Sequence, residues 1–241
     1  MICIPYAGGN ASVYHEWADL FPEEIEVLAV QLPGRGSRFI EDRYTEVDKL
    51  IPALLKELVP FTDKPLMLFG YSMGALLCYE LAHQLVKLET GALQHLFVSA
   101  FRAPQLVSDR KVLRHELPAH ELKQFFGKLN GIPAEIMNND EVMNFILPIL
   151  RSDIQLCDTY TYQERPPLPC GITAFGGSAD PEVSIHQLQA WKEQTASEFS
   201  LHMLPGDHFF IHSQQELLIG LLTQRMLELR GLKGHFARNA E

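Results

Sequence analysis

The sequence lacks the features that mark secreted, membrane-spanning or metal-stabilised proteins. It has 4 cysteines in 241 residues, and none forms a Cys-x-x-Cys pair, so neither a disulfide framework nor a zinc site is indicated. It contains no apolar run of the roughly 18 residues that a membrane span requires, and no basic and apolar leader at its N-terminus. We therefore expect a cytoplasmic protein whose thiols are reduced and buried.

Positive charge is also scarce. Lys and Arg number 20 against 30 Asp and Glu, which gives a formal net charge of −10 at pH 7. Phosphate backbones and anionic lipid surfaces repel so acidic a chain, and neither nucleic acid nor a membrane is expected as a partner. Hydrophobic residues make up 46% and charged residues 21%, which is typical of a folded globular protein and excludes a disordered one.

The sequence does contain an alternation of short apolar runs with longer amphipathic ones. The apolar runs predict strands at residues 2–5, 25–32, 66–70, 96–100, 171–176 and 199–204. The amphipathic runs predict helices at residues 12–21, 47–59, 73–88, 184–195 and 212–229. Because strands that alternate with helices connect in parallel, we predict an α/β fold with a mostly parallel, doubly wound sheet.

Residues 102–169 interrupt this alternation. They show no convincing strand pattern and hold two helical patterns, near residues 118–129 and 140–160, which Asn-Gly-Ile-Pro separates. We predict a single domain over residues 1–241 with a helical lid inserted at 102–169. The candidate substrate contacts are Tyr6, Phe125, Phe126, Leu129, Met137, Met143, Phe145 and Ile146. Apolar residues at helical spacing more often form a core than a ligand wall, so that alternative stays open.

A candidate nucleophile lies between the third predicted strand and the third predicted helix. Residues 70–74 read Gly-Tyr-Ser-Met-Gly, with an apolar strand before them and a helix after them. This setting is that of a nucleophile elbow, in which a strained turn presents the serine at the edge of the sheet. Gly70 and Gly74 leave room for such a turn, and Ser72 is the predicted nucleophile. The alternative is an ordinary turn bounded by glycines.

A serine nucleophile needs a base and a group that orients the base. Among 10 histidines, His208 follows the last predicted strand directly, at the same sheet edge as the serine; its nearest rival, His212, already starts a helical pattern. The remaining histidines are expected on the surface. Asp180 follows the preceding strand, and the order Ser72, Asp180, His208 is that of an α/β-hydrolase. Asp180 could also be a simple Asp-Pro turn former, while Asp207 is too close in sequence to reach its neighbour's ring.

An oxyanion that develops at this site needs two hydrogen-bond donors. The backbone amide of Met73, directly after the serine, is the first candidate. The second comes from Tyr-Ala-Gly-Gly at residues 6–9, a loop small enough for a backbone amide to face the site. We assign Ala7, and the alternative is a flexible glycine turn. No metal and no cofactor is expected.

Together these residues resemble the stand-alone type II thioesterases of polyketide and nonribosomal peptide synthesis, a branch of the α/β-hydrolases. The similar strings lie at residues 4–9, 32–36, 69–74, 175–180 and 204–209, and within the insert at 130–135 and 147–153. Many hydrolases share the elbow, whereas the first string and Leu-Pro-Gly-Arg at 32–35 are more specific to this branch. The similarity therefore extends nearly from end to end of the chain.

The resemblance implies a serine hydrolase that cleaves acyl thioesters from the phosphopantetheine arm of acyl or peptidyl carrier proteins and so clears stalled or aberrant acyl groups. Such carriers are usually acidic, so a local basic patch is expected to offset the repulsion. The candidate docking residues, for which a solvated surface is the alternative, are Arg102, Arg110, Lys111 and Arg114. A monomer is expected.

Three other functions stay open. A medium-chain fatty acyl thioesterase that terminates fatty-acid synthesis would share the triad and differ in chain-length preference and partner. A small-molecule carboxylesterase would prefer small oxygen esters. A non-catalytic binding protein of the same fold usually lacks a member of the triad, whereas all three candidates are present here.

Overall fold

A parallel sheet forms the centre of the computed structural model, which describes residues 1–106 and 112–231. Its strands are β1 (Ile2–Ile4), β2 (Leu28–Ala29), β3 (Leu66–Tyr71), β4 (Leu93–Ser99), β5 (Gly171–Gly177) and β6 (Phe199–Leu204). Their spatial order is β2-β1-β3-β4-β5-β6, with every neighbouring pair parallel. The chain winds outward from β1 to β2 and then in the other direction from β3 to β6, which confirms the predicted doubly wound sheet.

Helices cover both faces of this sheet. The α-helices in the described ranges are α1 (Trp17–Leu20), α2 (Val47–Leu58), α3 (Met73–Lys87), α4 (Ala119–Lys128), α5 (Ala134–Met137), α6 (Asp140–Asp158), α7 (Ile185–Gln189), α8 (Phe210–Ser213) and α9 (Gln215–Leu229). None of them has the length and hydropathy needed to cross a membrane.

Successive side chains of each strand point to opposite faces of the sheet. In β3, Leu66 and Leu68 pack in one core cluster with α2 and α3, whereas Met67 and Phe69 pack in a second cluster with α1 and α9. β1, β3 and β5 are buried along their whole length, so these strands are apolar on both sides. This is why they appear in the sequence as continuous apolar runs rather than as an alternating pattern.

Several element boundaries differ from the predicted ones. The strand predicted at 25–32 is reduced to β2, because it lies at the edge of the sheet and leaves it after two residues paired with β1. The helix predicted at 12–21 is a 3-10 turn, Ala11–Tyr14, followed by α1. The helix predicted at 212–229 is divided at Gln214 into α8 and α9.

The segment between β4 and β5 carries α4, α5 and α6 and has a core of its own. Its buried apolar side chains are Leu122, Phe126, Met143, Leu147, Leu150 and Ile154. Leu156, near the end of α6, belongs instead to the main core of the sheet, so α6 joins the two parts. The short helix α5 was not predicted, because four residues are too few to show a helical period.

Two predictions about side-chain burial are wrong. Cys157 was expected to be buried like the other three cysteines and is only half-buried. His83 and His95 were expected on the surface and are buried. Desolvation lowers the pKa of His83 to about 4 and that of His95 to about 3, while His95 Nε2 lies 2.8 Å from the hydroxyl oxygen of Thr173.

Candidate active site

The connection between β3 and α3 is a sharp turn at Ser72. Its φ of 52° and ψ of −118° lie outside the regions that non-glycine residues prefer, and such strain persists only where the surroundings impose it. A Cβ atom at Gly70 would overlap the carbonyl oxygen of Gly74, and one at Gly74 would overlap the carbonyl oxygen of Ile4. The two glycines therefore allow the close approach that puts Ser72 at the first turn of α3.

The structure brings Ser72, His208 and Asp180 together at the carboxyl ends of β3, β6 and β5. His208 Nε2 lies 3.1 Å from Ser72 Oγ, and His208 Nδ1 lies 2.8 Å from Asp180 Oδ2. The second oxygen of Asp180 accepts a hydrogen bond of 2.8 Å from the backbone N–H of Glu182. The imidazole can therefore take a proton from the serine while a buried carboxylate fixes its orientation.

A buried tyrosine holds the loop that carries His208. The Tyr71 hydroxyl donates a hydrogen bond of 2.7 Å to the carbonyl oxygen of His208 and accepts one of 3.3 Å from the N–H of Ile211. Burial raises the pKa of Tyr71 well above its ordinary value, so the hydroxyl keeps its proton and remains a donor. β3 thus supplies both the nucleophile turn and the support for the base.

The rival acid and base have other partners. Asp207 accepts hydrogen bonds from the side chain of Asn130 at 3.0 Å and from the N–H of Phe209 at 2.8 Å. The Asn130 contact in particular lowers the pKa of Asp207. His212 Nε2 lies 2.9 Å from the hydroxyl of Tyr6, and burial lowers its pKa. Neither is hydrogen-bonded to Ser72.

The two residues predicted to supply the oxyanion donors, Ala7 and Met73, line the same cavity as Ser72. Gly9 N–H donates to the carbonyl oxygen of Tyr6 at 2.9 Å, and Gly8 has a φ of 81°, so residues 6–9 form a tight turn with the glycine that a type II turn needs. Ala7 in this turn and Met73 at the start of α3 both line the cavity beside Ser72. An oxyanion hole requires two such donors beside the nucleophile, and the assignment of the Ala7 and Met73 amides stays a prediction.

A cavity of about 370 Å³ opens in front of Ser72. Four predicted substrate contacts lie on its wall: Tyr6, Phe125, Phe126 and Leu129. The sequence did not single out the other side chains of the wall, which include Phe101, Ile154, Cys157, Asp158, Glu182, Val183, Gln187 and Phe209. Most of them follow β4, β5 or β6, and the only available signal was their place at the carboxyl edge of the sheet.

Four other predicted contacts lie away from the cavity wall. Met143 is buried in the core of the helical segment, and Met137 and Ile146 pack against that core. Phe145 is 55% exposed and stacks on Phe39, with ring centroids 4.6 Å apart. Helical spacing identified these residues as one apolar set, but it cannot tell which face of a helix is turned to the substrate.

The predicted docking cations that the structure describes also face the cavity. The Arg114 guanidinium donates hydrogen bonds of 2.6 and 3.0 Å to Glu182 and lies 3.8 Å from the centre of the Phe125 ring. Arg102 lines the same cavity and donates to the carbonyl oxygen of Leu106 at 3.0 Å. Whether these two arginines also contact a carrier stays a prediction, and Arg110 and Lys111 lie outside the described residues.

Arg35 and Asp153 form a buried ion pair beside this site that the sequence did not predict. Both lie in strings that carry the resemblance to thioesterases, at 32–36 and 147–153, and that was the available signal. Over residues 1–106 and 112–231, no group of three or more His, Cys, Asp or Glu side chains is arranged to hold a metal ion.

A doubly wound parallel sheet with a serine elbow, and with histidine and aspartate at the same edge, defines an α/β-hydrolase. A family model of the thioesterase domain matches residues 1–225. The chain therefore belongs to the thioesterase family, whose members hydrolyse thioesters.

Relatives and solved structures agree with this assignment. The chain is 42% identical to linear gramicidin dehydrogenase LgrE of Brevibacillus parabrevis, over 92% of this chain and 85% of that protein. It is 40% identical to the gramicidin S biosynthesis protein GrsT of Aneurinibacillus migulanus, over 94% of this chain and 88% of that protein. The type II thioesterase BorB from the borrelidin biosynthetic cluster superimposes with a TM-score of 0.85 at 34% identity, covering 92% of this chain and 90% of BorB. The resemblance to type II thioesterases is confirmed.

Proposed function

We propose that this thioesterase removes acyl groups from the phosphopantetheine arm of acyl or peptidyl carrier proteins and so clears stalled or aberrant intermediates. The observation that carries the proposal is the hydrogen-bonded series of Ser72, His208 and Asp180 at the wall of the cavity. The relatives named for gramicidin and borrelidin biosynthesis support synthases with carrier domains as the source of the substrate. The protein acts as a monomer in this proposal.

The first half-reaction transfers the acyl group to the enzyme. Ser72 Oγ bonds to the carbonyl carbon of the thioester while its proton moves to His208 Nε2. The amides of Ala7 and Met73 stabilise the resulting oxyanion, and an oxyanion donor typically contributes ~3–4 kcal/mol to lowering the barrier. The carbon–sulfur bond then breaks, and His208 returns the proton to the departing thiolate of the arm.

The second half-reaction restores the enzyme. His208 takes a proton from a water molecule, whose oxygen bonds to the carbonyl carbon of the acyl-serine. The same two amides stabilise the second oxyanion, and the ester bond to Ser72 breaks as His208 protonates the serine oxygen. The products are a carboxylic acid and the free serine, and Asp180 stabilises the imidazolium in both halves.

The helical segment over residues 102–169 is a lid in this proposal. Phe125 and Phe126 of α4 put aromatic surface on the cavity wall opposite the sheet. The phosphopantetheine arm is long and thin, so the lid has to leave a channel for it to reach Ser72. The mixed wall, with Arg102, Asp158 and Glu182 beside the aromatic rings, suits acyl groups that carry polar substituents.

Substitution of the nucleophile tests the proposal directly. We expect Ser72→Ala to abolish release of acyl groups from a carrier protein, because no other group can form the acyl intermediate. Thermal unfolding should show that the variant stays folded. The exposed Ser197 gives a matched control, and Ser197→Ala should retain full activity. Near wild-type turnover by Ser72→Ala would overturn the mechanism.

A substrate panel separates this function from its alternatives. We expect kcat/KM to be larger for acyl-carrier thioesters than for the same acyl groups as small oxygen esters. A preference for the oxygen esters would indicate a carboxylesterase, and a steep rise with fatty chain length would indicate a fatty acyl thioesterase. Failure of a fluorophosphonate probe to label Ser72 would indicate a binding protein.

A further inference from the structure

A buried ion pair lies behind the turn that carries Ala7. The Arg35 guanidinium binds the Asp153 carboxylate with both terminal nitrogens, and the bond from Nη2 to Oδ1 measures 2.6 Å. The side chains are 5% and 0% exposed. Removing two charges from water costs several kcal/mol per ion, at the order-of-magnitude level, and their attraction often only compensates for this cost. Packing alone gives no reason to keep such a pair at this position.

The ion pair also binds the backbone of the turn. Gly8 N–H donates a hydrogen bond of 2.7 Å to Asp153 Oδ2, and Arg35 Nη1 lies 3.4 Å from the carbonyl oxygen of Gly9. The peptide between Ala7 and Gly8 has opposite orientations in type I and type II turns. By accepting from Gly8 N–H, Asp153 selects the orientation that the structure shows.

The turn has little to fix it from within. Two successive glycines give residues 8 and 9 wide conformational freedom, and the only backbone bond across the turn runs from Gly9 to Tyr6. An oxyanion donor works only when it is held within about 0.5 Å of its productive position. The residue whose amide must be held, Ala7, directly precedes the glycine that Asp153 binds.

We propose that Asp153, oriented by Arg35, is a positioning residue for the oxyanion hole. It contacts neither the substrate nor the reacting atoms and acts through the peptide group next to Ala7. Because Asp153 lies on α6, and because a Cβ at Gly8 would overlap Leu150 of the same helix, the lid helix and the oxyanion turn are held together. This role rests on the proposed function, since it presupposes an oxyanion at Ser72.

Two double variants isolate the hydrogen bond to Gly8. Arg35→Met with Asp153→Asn and Arg35→Met with Asp153→Leu both remove the ion pair and leave no unpaired buried charge. Asn and Leu are close in size, but only Asn can accept from Gly8 N–H. We expect kcat for a small acyl thioester to be about 10- to 100-fold lower in the Leu variant than in the Asn variant, with little change in KM. This loss of kcat is smaller than the roughly 10²- to 10³-fold loss caused by deleting an oxyanion donor outright.

A boronic acid gives a readout that does not depend on turnover. Ser72 Oγ forms a bond to boron, its proton moves to His208, and a boronate oxygen occupies the oxyanion hole. We expect the Kd of an alkyl boronic acid to be weaker in the Leu variant by a factor similar to the loss of kcat. The Kd of a thioether analogue, which forms no oxyanion, should be the same in both variants, whereas a general structural defect would weaken both ligands.

The outcomes separate the two proposals. Equal boronate affinity in the Asn and Leu variants would overturn the positioning role. If the Leu variant fails to fold, Arg35→Met with Asp153→Ala replaces it in the same comparison. A wild-type protein that binds the boronate but hydrolyses no carrier-bound thioester would contradict the proposed function, and the boronate ratio would still decide the positioning role. Absence of boronate binding by the wild type would overturn both.

Discussion

At the scale of single residues, buried histidines make the stability of the fold depend on pH. His95 is 1% exposed and lies near the amino ends of β4 and β5, at the edge of the sheet opposite the candidate active site. Burial lowers its pKa from 6.5 to about 3, so the unfolded chain binds a proton at pH values where the folded chain does not. The resulting stability is present above pH 6.5 and is lost as the pH falls towards 3.

Replacing this histidine should flatten the pH profile. We expect the free energy of unfolding of His95→Gln to fall less steeply than that of the wild type between pH 6 and pH 4.5, by up to about 1.4 kcal/mol per pH unit. Denaturant titrations at several pH values measure this slope. His120→Gln, at a largely exposed position, should match the wild type, and equal slopes for all three proteins would contradict the assignment.

Residues of the site could be predicted from the sequence where local pattern determines their position. Ser72 stands between glycines at a strand–helix boundary, and Asp180 and His208 each follow an apolar strand, so topology alone brings them to one edge. Arg35 and Asp153 have no such local signal. They meet because α6 packs against the turn at residues 6–9, and this contact is visible only in the folded chain.

At the scale of elements, the connection between α4 and α5 contacts the loop that carries His208. Asn130 donates a hydrogen bond to Asp207, and a Cβ at Gly131 would lie 2.5 Å from Cε2 of Phe209. The Phe209 ring is part of the cavity wall. The absence of a side chain at residue 131 therefore sets how closely this connection approaches the loop that carries His208.

Adding one methyl group at this contact should disturb substrate binding. We expect Gly131→Ala to raise KM several-fold, because the Phe209 ring must turn into the cavity or the connection must move away. The rate of Ser72 labelling by a small fluorophosphonate should change little. Gly220→Ala in α9 is the matched control, since a Cβ there meets nothing within 4 Å. An unchanged KM in Gly131→Ala would contradict the prediction, because it would show that the Phe209 ring moves without affecting substrate binding.

Elements were predicted best where burial is complete. β3 and β5 match their apolar runs closely, because strands covered on both faces leave an uninterrupted signal. β6 also matches its run, although it is an edge strand and only partly buried. β2 was overestimated because an apolar run at a sheet edge need not pair along its length. The sequence could not show which face of α4 or α6 is turned to the cavity. Apolar side chains of these helices line the cavity and also form the core of the helical segment.

At the scale of the whole molecule, the net charge of −10 opposes the approach of an acidic carrier. Of the four predicted docking residues, Arg102 and Arg114 line the cavity, and Arg114 forms an ion pair with Glu182. Phe39, Phe145 and the almost fully exposed Ile40 form an apolar surface next to the lid.

The balance of charge predicts a response to salt. We expect KM for an acyl-carrier substrate to fall as the ionic strength rises to about 0.15 M, where repulsion beyond about 8 Å is screened. KM for a small neutral thioester should stay constant in the same series. A KM for the carrier substrate that rises with salt would instead show that a local basic surface dominates docking.

The position of the helical segment between β4 and β5 determines how this fold can change. The two strands are neighbours in the sheet, so residues 100–170 form one long closed loop. The entropy of closing such a loop grows only with the logarithm of its length, and each doubling costs about 0.6 kcal/mol. Changing the length of the part of this loop that precedes α6 therefore costs the sheet little free energy, provided that α6 keeps Leu156 in the main core and Asp153 hydrogen-bonded to Gly8. New substrate ranges can arise by changes in α4 and α5, whereas replacing the whole loop would also remove Asp153 and its hydrogen bond to Gly8.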